Sequence, residues 1–417
     1  MHGNELPLIT ALPFVALLLV IALAPLAVPG WWHHNRNKAL VSLVISAPIL
    51  LYLGRTAPEL LNEKLHEYLS FIVVIAALYV IAGGIHVEGS LAGTPLVNTG
   101  VLGLGAVLAN LLGTTGASVL LIRPLLRANK RRKRVAHVVI FFIFIVANCA
   151  GLLTPIGDPP LLLGYLKGVP FDWTLRLWPQ WLMVNGMLLV VFNVWDRWAL
   201  QGDEQELQTH EPLRIRGGLE MLVLLGIIAT ILLAGSSLII LGLAVLGYFA
   251  GSGDRRTRNA FTFGPIIEVA VLFAAIFATM APVLEMLNAW AQRPDFGLTR
   301  PAHFFWASGA LSSVLDNAPT YLAFVASAAG LQGVAPHGAY IGAMALNPEA
   351  AKLLAAISTG AVFMGANTYI GNAPNFMVKA IAEENGVKMP SFVGYLGYSM
   401  GILVPLYVAI SLIFFHT

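Results

Sequence analysis

Two acidic residues stand where acid is costly. Asp158 lies in Thr154-Pro-Ile-Gly157-Asp158-Pro-Pro160, and Asp316 in Ser312-Ser313-Val-Leu-Asp316-Asn317-Ala-Pro-Thr320, both inside long apolar stretches. A carboxylate among Thr, Ser and Asn side chains and free backbone carbonyls makes a cage of hard oxygens. Such a cage suits a small hard cation, here Na⁺, over metals that want His or Cys. At membrane depth a carboxylate is a functional candidate by default, able to exchange a proton for a cation. The first motif recurs as Thr368-Tyr-Ile-Gly371-Asn372-Ala-Pro374, with Thr, Ile, Gly, Asp/Asn and Pro in the same order at an offset of 214 residues. The candidate ion or substrate ligands are therefore Thr114, Thr115, Ser118, Asn148, Thr154, Gly157 and Asp158 in one half. In the other they are Ser313, Asp316, Asn317, Thr320, Asn367, Thr368, Gly371 and Asn372. Asp158 and Asp316 are the Na⁺ candidates. Plainer roles compete: Asp-Pro is a common turn signal, small residues such as Thr114, Thr115 and Ser118 let helices pack closely, and Asn148 and Asn367 can cap freed backbone groups.

The surroundings that make these residues unusual are set by composition. Of 417 residues, 58% are hydrophobic and 11% charged, with a net charge of +3 and a mean hydropathy of +0.78. An ordinary soluble domain is about 25% charged. This excludes a soluble enzyme, a disordered chain and a nucleic-acid binder, and leaves lipid as the solvent. The one cysteine, Cys149, excludes a disulfide framework and any CxxC site. A spanning helix needs about 20 apolar residues; such stretches fall at 8–28, 38–54, 69–85, 179–199, 218–234, 236–251, 264–290 and 392–415. Stretches 135–167 and 351–382 are helical at both ends and interrupted by Gly, Pro, Asn and Asp, and read as broken helices. Stretches 101–126 and 303–330 have polar centres and halves too short to cross, so they read as re-entrant hairpins, tolerated where buried in protein. Residues 1–7 hold Glu5 and no Lys or Arg, unlike a signal peptide, so the first span is expected to be retained.

Ten crossings place sixteen basic residues on one side, including the run Arg127–Arg134, and seven on the other. The positive-inside rule then puts that run in the cytoplasm and both termini outside. The run itself reads as a topology anchor. A charged linker, 201–217, separates a first repeat, 1–200, from a second, 218–417. Five crossings in each half is an odd number, so the second is inverted relative to the first. The expected fold is an all-α polytopic membrane protein of about ten spans in two inverted five-helix repeats, each with a hairpin and a broken helix. In such inverted-repeat transporters ions and substrates bind at the broken helices. Pairing each hairpin with its own broken helix predicts two sites, one carboxylate in each. Glu268, His86 and Glu88 read as interfacial, with a proton relay as the competing role. Trp31, Trp32, Trp173, Trp178 and Trp181 read as an aromatic belt, and Phe171–Trp181 as an arm along the membrane surface.

Three stretches, GTTGASVLLIRPLLRANKRRKRVAHVVIFFIFIVAN (113–148), LLTPIGDPPLLLGYLKGVPFDW (152–173) and SSVLDNAPTYLAF (312–324), resemble a bacterial branch of the ion transporter superfamily. Its members are sodium:proton antiporters and citrate transporters, and the likeness runs from about Leu69 to the C-terminus. It implies two hairpins, two broken helices, an elevator-like movement and a homodimer in a bacterial inner membrane. Sodium-coupled dicarboxylate members carry Ser-Asn-Thr at both hairpin tips. This chain has Thr114-Thr115 and Asp316-Asn317-Ala-Pro-Thr320, adding a negative charge where a carboxylate substrate would approach. The antiporters' DN-x-P is matched by Asp316, Asn317 and Pro319. The leading expectation is Na⁺/H⁺ antiport, with transported Na⁺ and H⁺ and no cofactor. Cation-coupled uptake of citrate or another carboxylate follows, then arsenite export. An intramembrane aspartyl protease would need Gly-x-Gly-Asp, and Pro155 stands at the first glycine; no HExxH occurs either, so an enzyme is not expected.

Overall fold

The computed structural model describes residues 6–201, 211–233, 235–259 and 261–416. The longer helices are α1 Leu12–Ala27, α2 Asn35–Thr56, α3 Pro58–Gly84, α4 Pro95–Ala128, α5 Ala136–Ile145, α6 Pro159–Leu166, α7 Trp178–Leu200 and α8 Gly218–Leu232. They continue as α9 Ser237–Ala250, α10 Gly264–Ala291, α11 Pro301–Ser312, α12 Asn317–Leu331, α13 Pro348–Met364, α14 Ala373–Glu384 and α15 Phe392–Phe414. Eight helical segments among the described residues are long and apolar enough to cross a membrane. The protein is an all-α polytopic membrane protein. Outward-facing Leu238 and Phe249, 76% and 80% exposed, need lipid as their solvent.

Length alone misleads for α4. At Gly113 the backbone takes φ +74°, a conformation open chiefly to glycine, and the chain turns back. Gly105 in one arm packs on Leu121 in the other. At the base, the Asn98 and Asn129 side-chain amides exchange two hydrogen bonds of 2.9 Å. The arms are longer than the 101–126 stretch because Thr94 caps the start, with Pro95 at the first helical position.

The two broken helices form the core. From Val139 to Ala147 every residue is fully buried, as expected of a helix apolar on all sides. The break after α5 runs through a short turn, Cys149–Leu152, to Asp158, which precedes α6. The break after α13 runs through Gly365–Asn367 to Asn372, which precedes α14. Asp158 (φ −145°, ψ 146°) and Asn372 (φ −151°, ψ 141°) share one extended conformation. Each break is pinched by a glycine pair. A Cβ on Gly157 would come 2.4 Å from the Gly151 carbonyl oxygen, and one on Gly371 would come 2.6 Å from that of Gly365.

Several details depart from expectation. The stretches 218–234 and 236–251 become helices of 15 and 14 residues, about 22 and 21 Å long, shorter than the ~30 Å hydrocarbon core. They still run alongside α3: Gly217, just before α8, meets Gly84 and Gly247 of α9 packs on Ile81, while the Ile231 carbonyl accepts from the Tyr165 hydroxyl of α6. Most of the expected linker, 202–210, lies outside the described residues, as does Glu5. The rest of it forms a strand, β2 Glu211–Arg216, antiparallel to β1 His86–Ser90. Glu88 on that ribbon accepts from Arg216 (3.1 Å) and Arg258 (3.0 Å), and the Arg216 guanidinium holds its carboxyl below the usual range. His86 contacts Asn259 (2.6 Å) and Glu268 pairs with Lys38 (2.6 Å), contacts that join separate elements. Trp32 and Trp173 are buried, so the aromatic belt does not include them. Phe171–Leu177 is a 3₁₀ helix with Trp173, Thr174 and Leu177 turned inward, where Thr174 donates to the Leu153 carbonyl (2.8 Å), and with Asp172, Leu175 and Arg176 exposed.

The basic run also does more than anchor. Arg132 is buried and forms an ion pair with buried Asp196, Nη2 to Oδ1 at 2.5 Å and Nη1 to Oδ2 at 3.1 Å. Asp196 also meets His137 Nε2 (2.7 Å) and accepts from Asn98 (2.9 Å). The base of the first hairpin is thereby tied to the start of α5 and the end of α7.

Candidate functional site

A helix broken inside a membrane exposes carbonyls and N–H groups that must find partners. The helix closing each half supplies them. In α7, Trp181 donates to the Ala150 carbonyl (2.8 Å) and Asn185 to that of Cys149 (3.2 Å). In α15, Tyr395 donates to Ala366 and Ser399 to Asn367, both at 2.8 Å. Tyr395 and Ser399 stand 214 residues after Trp181 and Asn185, the offset of the Thr–Pro motif. The motif threonines match as well. Thr154 Oγ1 donates to the Asn110 carbonyl and Thr368 Oγ1 to the Ser313 carbonyl, each at 2.6 Å, fastening each break to its hairpin.

The four discontinuities meet at one carboxylate. Asp158 is buried, and its Oδ1 accepts from Thr114 Oγ1 of the first hairpin (3.0 Å) and Asn372 Nδ2 of the second break (3.3 Å). Its Oδ2 accepts from Asn317 Nδ2 of the second hairpin. The Thr114 amide donates to the Gly157 carbonyl at 2.9 Å. Two separate sites were expected; Asp158 instead draws residues from both halves, because Asn317 and Asn372 reach across to it.

Around this centre runs an amide chain. Asn148 donates to the Ile143 carbonyl (2.7 Å) and to Asn375 Oδ1 (2.6 Å), and accepts from Asn372 (3.2 Å). Asn375 donates in turn to the carbonyls of Gly365 (2.8 Å) and Thr368 (2.9 Å). Asn367 donates to Ser313 Oγ (2.8 Å), and Ser313 Oγ donates to the Met364 carbonyl (3.1 Å). Asp316, half-buried, caps its own helix by accepting from the Ala318 amide (3.0 Å), while Thr320 donates to the Asp316 carbonyl (2.9 Å). Thr115 is half-buried at the tip, and Ser118 is buried one turn after Thr114. Gly157 and Gly371 serve as the close-contact glycines of the breaks. Two amide oxygens, Asn317 Oδ1 and Asn367 Oδ1, are buried without a hydrogen-bond partner. They are acceptors a cation could use.

A family model described as "Putative citrate transport" matches residues 3–239 and 234–415. The chain belongs to this family. No curated protein matches it. As a member of a transporter family, this multi-pass protein carries at its centre groups that sequence reasoning did not single out: Asn375, Asn110, Asn185, Tyr395 and Ser399. Asn185 and Ser399 were detectable only as polar residues inside apolar spans at the repeat offset.

Proposed function

We propose that this transporter exchanges Na⁺ for H⁺ at Asp158. The observation that supports it is the convergence of both hairpins and both breaks on one buried carboxylate. Ionised, Asp158 supplies the charge that holds Na⁺, with Thr114 Oγ1 beside it and the unpartnered Asn317 Oδ1 as a further oxygen for the ion. Protonated, it lacks that charge and releases the ion. Competition of two cations for one carboxylate is sufficient for coupled exchange. Residues 1–200 and 218–417 act as inverted repeats, with the ribbon face and the run 127–134 in the cytoplasm, in an inner-membrane homodimer.

The family description favours a second reading, coupled uptake of citrate or a related carboxylate. A tricarboxylate would face Asp158, whose hydrogen-bond partners are hydroxyl and amides and include no Lys or Arg; it would need accompanying cations. Purified protein in liposomes with an internal pH dye separates the two. Proton movement on adding Na⁺ alone supports antiport, and a response that requires citrate overturns it.

A further inference from the structure

On the side of Asp158 away from the basic run, buried polar groups follow one another along α6. Asn317, on Asp158, is succeeded one helical turn later by Tyr321, buried. The Tyr321 hydroxyl lies against Gly164 of α6, where an added Cβ would come within 2.6 Å of it, and beside Ser358 of α13. Beyond stands Tyr340, also buried, its ring 5.3 Å from Lys167 Nζ at the end of α6. Lys167 donates to Glu67 Oε1 at 2.6 Å, and Lys64 donates to the same oxygen at 3.0 Å. Glu63 lies 3.5 Å from Lys64, and Glu285 3.5 Å from His337, which is half exposed. From Asp158 to Lys167 is nine helical steps, about 14 Å.

Along this file Asn317 Oδ1 and the Tyr340 hydroxyl are buried without hydrogen-bond partners. Toward the other side the amides of Asn148, Asn372 and Asn375 are held by one another and by backbone carbonyls. Buried polar atoms left without a fixed partner are uncommon and call for a mobile one such as water. We propose that protons travel between the Lys167–Glu67 face and Asp158 along this file, relayed by the hydroxyls of Tyr340 and Tyr321 with intervening water. Each hydroxyl takes a proton on its oxygen and passes on the one it held, so no relay group changes its charge over a cycle. Over the transfer one O–H bond of a hydronium ion at the Lys167–Glu67 face is broken, leaving water, and one O–H bond is formed at Asp158 as Na⁺ departs. This inference rests on the reading of Asp158 as the exchange site.

Tyr340→Phe and Tyr321→Phe keep the rings and remove the hydroxyls. In liposomes loaded with a pH dye, each is expected to slow Na⁺-driven proton flux by about tenfold or more, with half-saturating Na⁺ unchanged and a larger slowing in D₂O than the parent shows. Ser358→Ala, at the flank of the same file, gives the same pattern if either tyrosine variant loses its fold. Parental rates and isotope effects in folded variants overturn the route while leaving antiport standing. A parent protein that moves no protons on Na⁺ addition overturns antiport, and this inference with it.

Discussion

Asp158 differs from other buried acids of this protein in what answers it. Asp196 is matched by Arg132, whereas Asp158 meets a hydroxyl and two amides. In the proposed exchange, charge neutralisation there falls to a mobile cation. Asp158→Asn is expected to abolish Na⁺-dependent proton flux in everted vesicles while the protein still reaches the membrane; undiminished flux would remove the residue from the mechanism. Because protons compete for the same oxygens, lowering the pH should raise the Na⁺ concentration needed for half-maximal exchange, and a half-saturation independent of pH would contradict a shared site. Asp158 was legible because its motif recurs 214 residues later. Asn375 was not, since Leu161 occupies the corresponding position in the first half, and a lone amide in a helix carries no signal of what it touches. For Asp316 the residue type was visible and its capping of the next helix was not, since capping depends on where that helix begins.

Among the elements, the hairpins and breaks could be read from Gly, Pro and Asn punctuating apolar sequence. The meeting of both hairpins at one point could not, because no pattern along a chain encodes the approach of segments 159 residues apart. The glycine pairs make the breaks testable. Gly157→Ala and Gly371→Ala each drive a methyl into a backbone oxygen and should cost about 1–3 kcal/mol, seen as a lower midpoint of thermal unfolding in detergent. Gly186→Ala, with open space around it, serves as the control. If the first two melt with the control, the breaks are looser than their geometry states.

For the whole molecule, low charge made the lipid environment legible from composition, and the basic run made one face distinct. That Arg132 left the run for the interior was hidden, as its neighbours Arg131 and Lys133 are exposed and share its type. Arg132→Ala leaves Asp196 buried and without its ion pair, and should destabilise the protein by about 3–5 kcal/mol, while Lys130→Ala, at an exposed position, should leave the unfolding midpoint unmoved. Orientation can be checked with an existing convenience: Cys149 is the sole cysteine and is buried. Lys130→Cys should react with a membrane-impermeant thiol reagent in everted vesicles and stay unreacted in intact cells; the reverse would invert the assigned topology. The halves, so alike in how they pinch, fasten and close their breaks, differ at the residue that precedes the second arm of each broken helix. Where one presents an oxygen at Asp158, the other presents a nitrogen at Asn372, and the two lie 3.3 Å apart. The acid thus belongs to one half alone, and its counterpart in the other half is a donor to it.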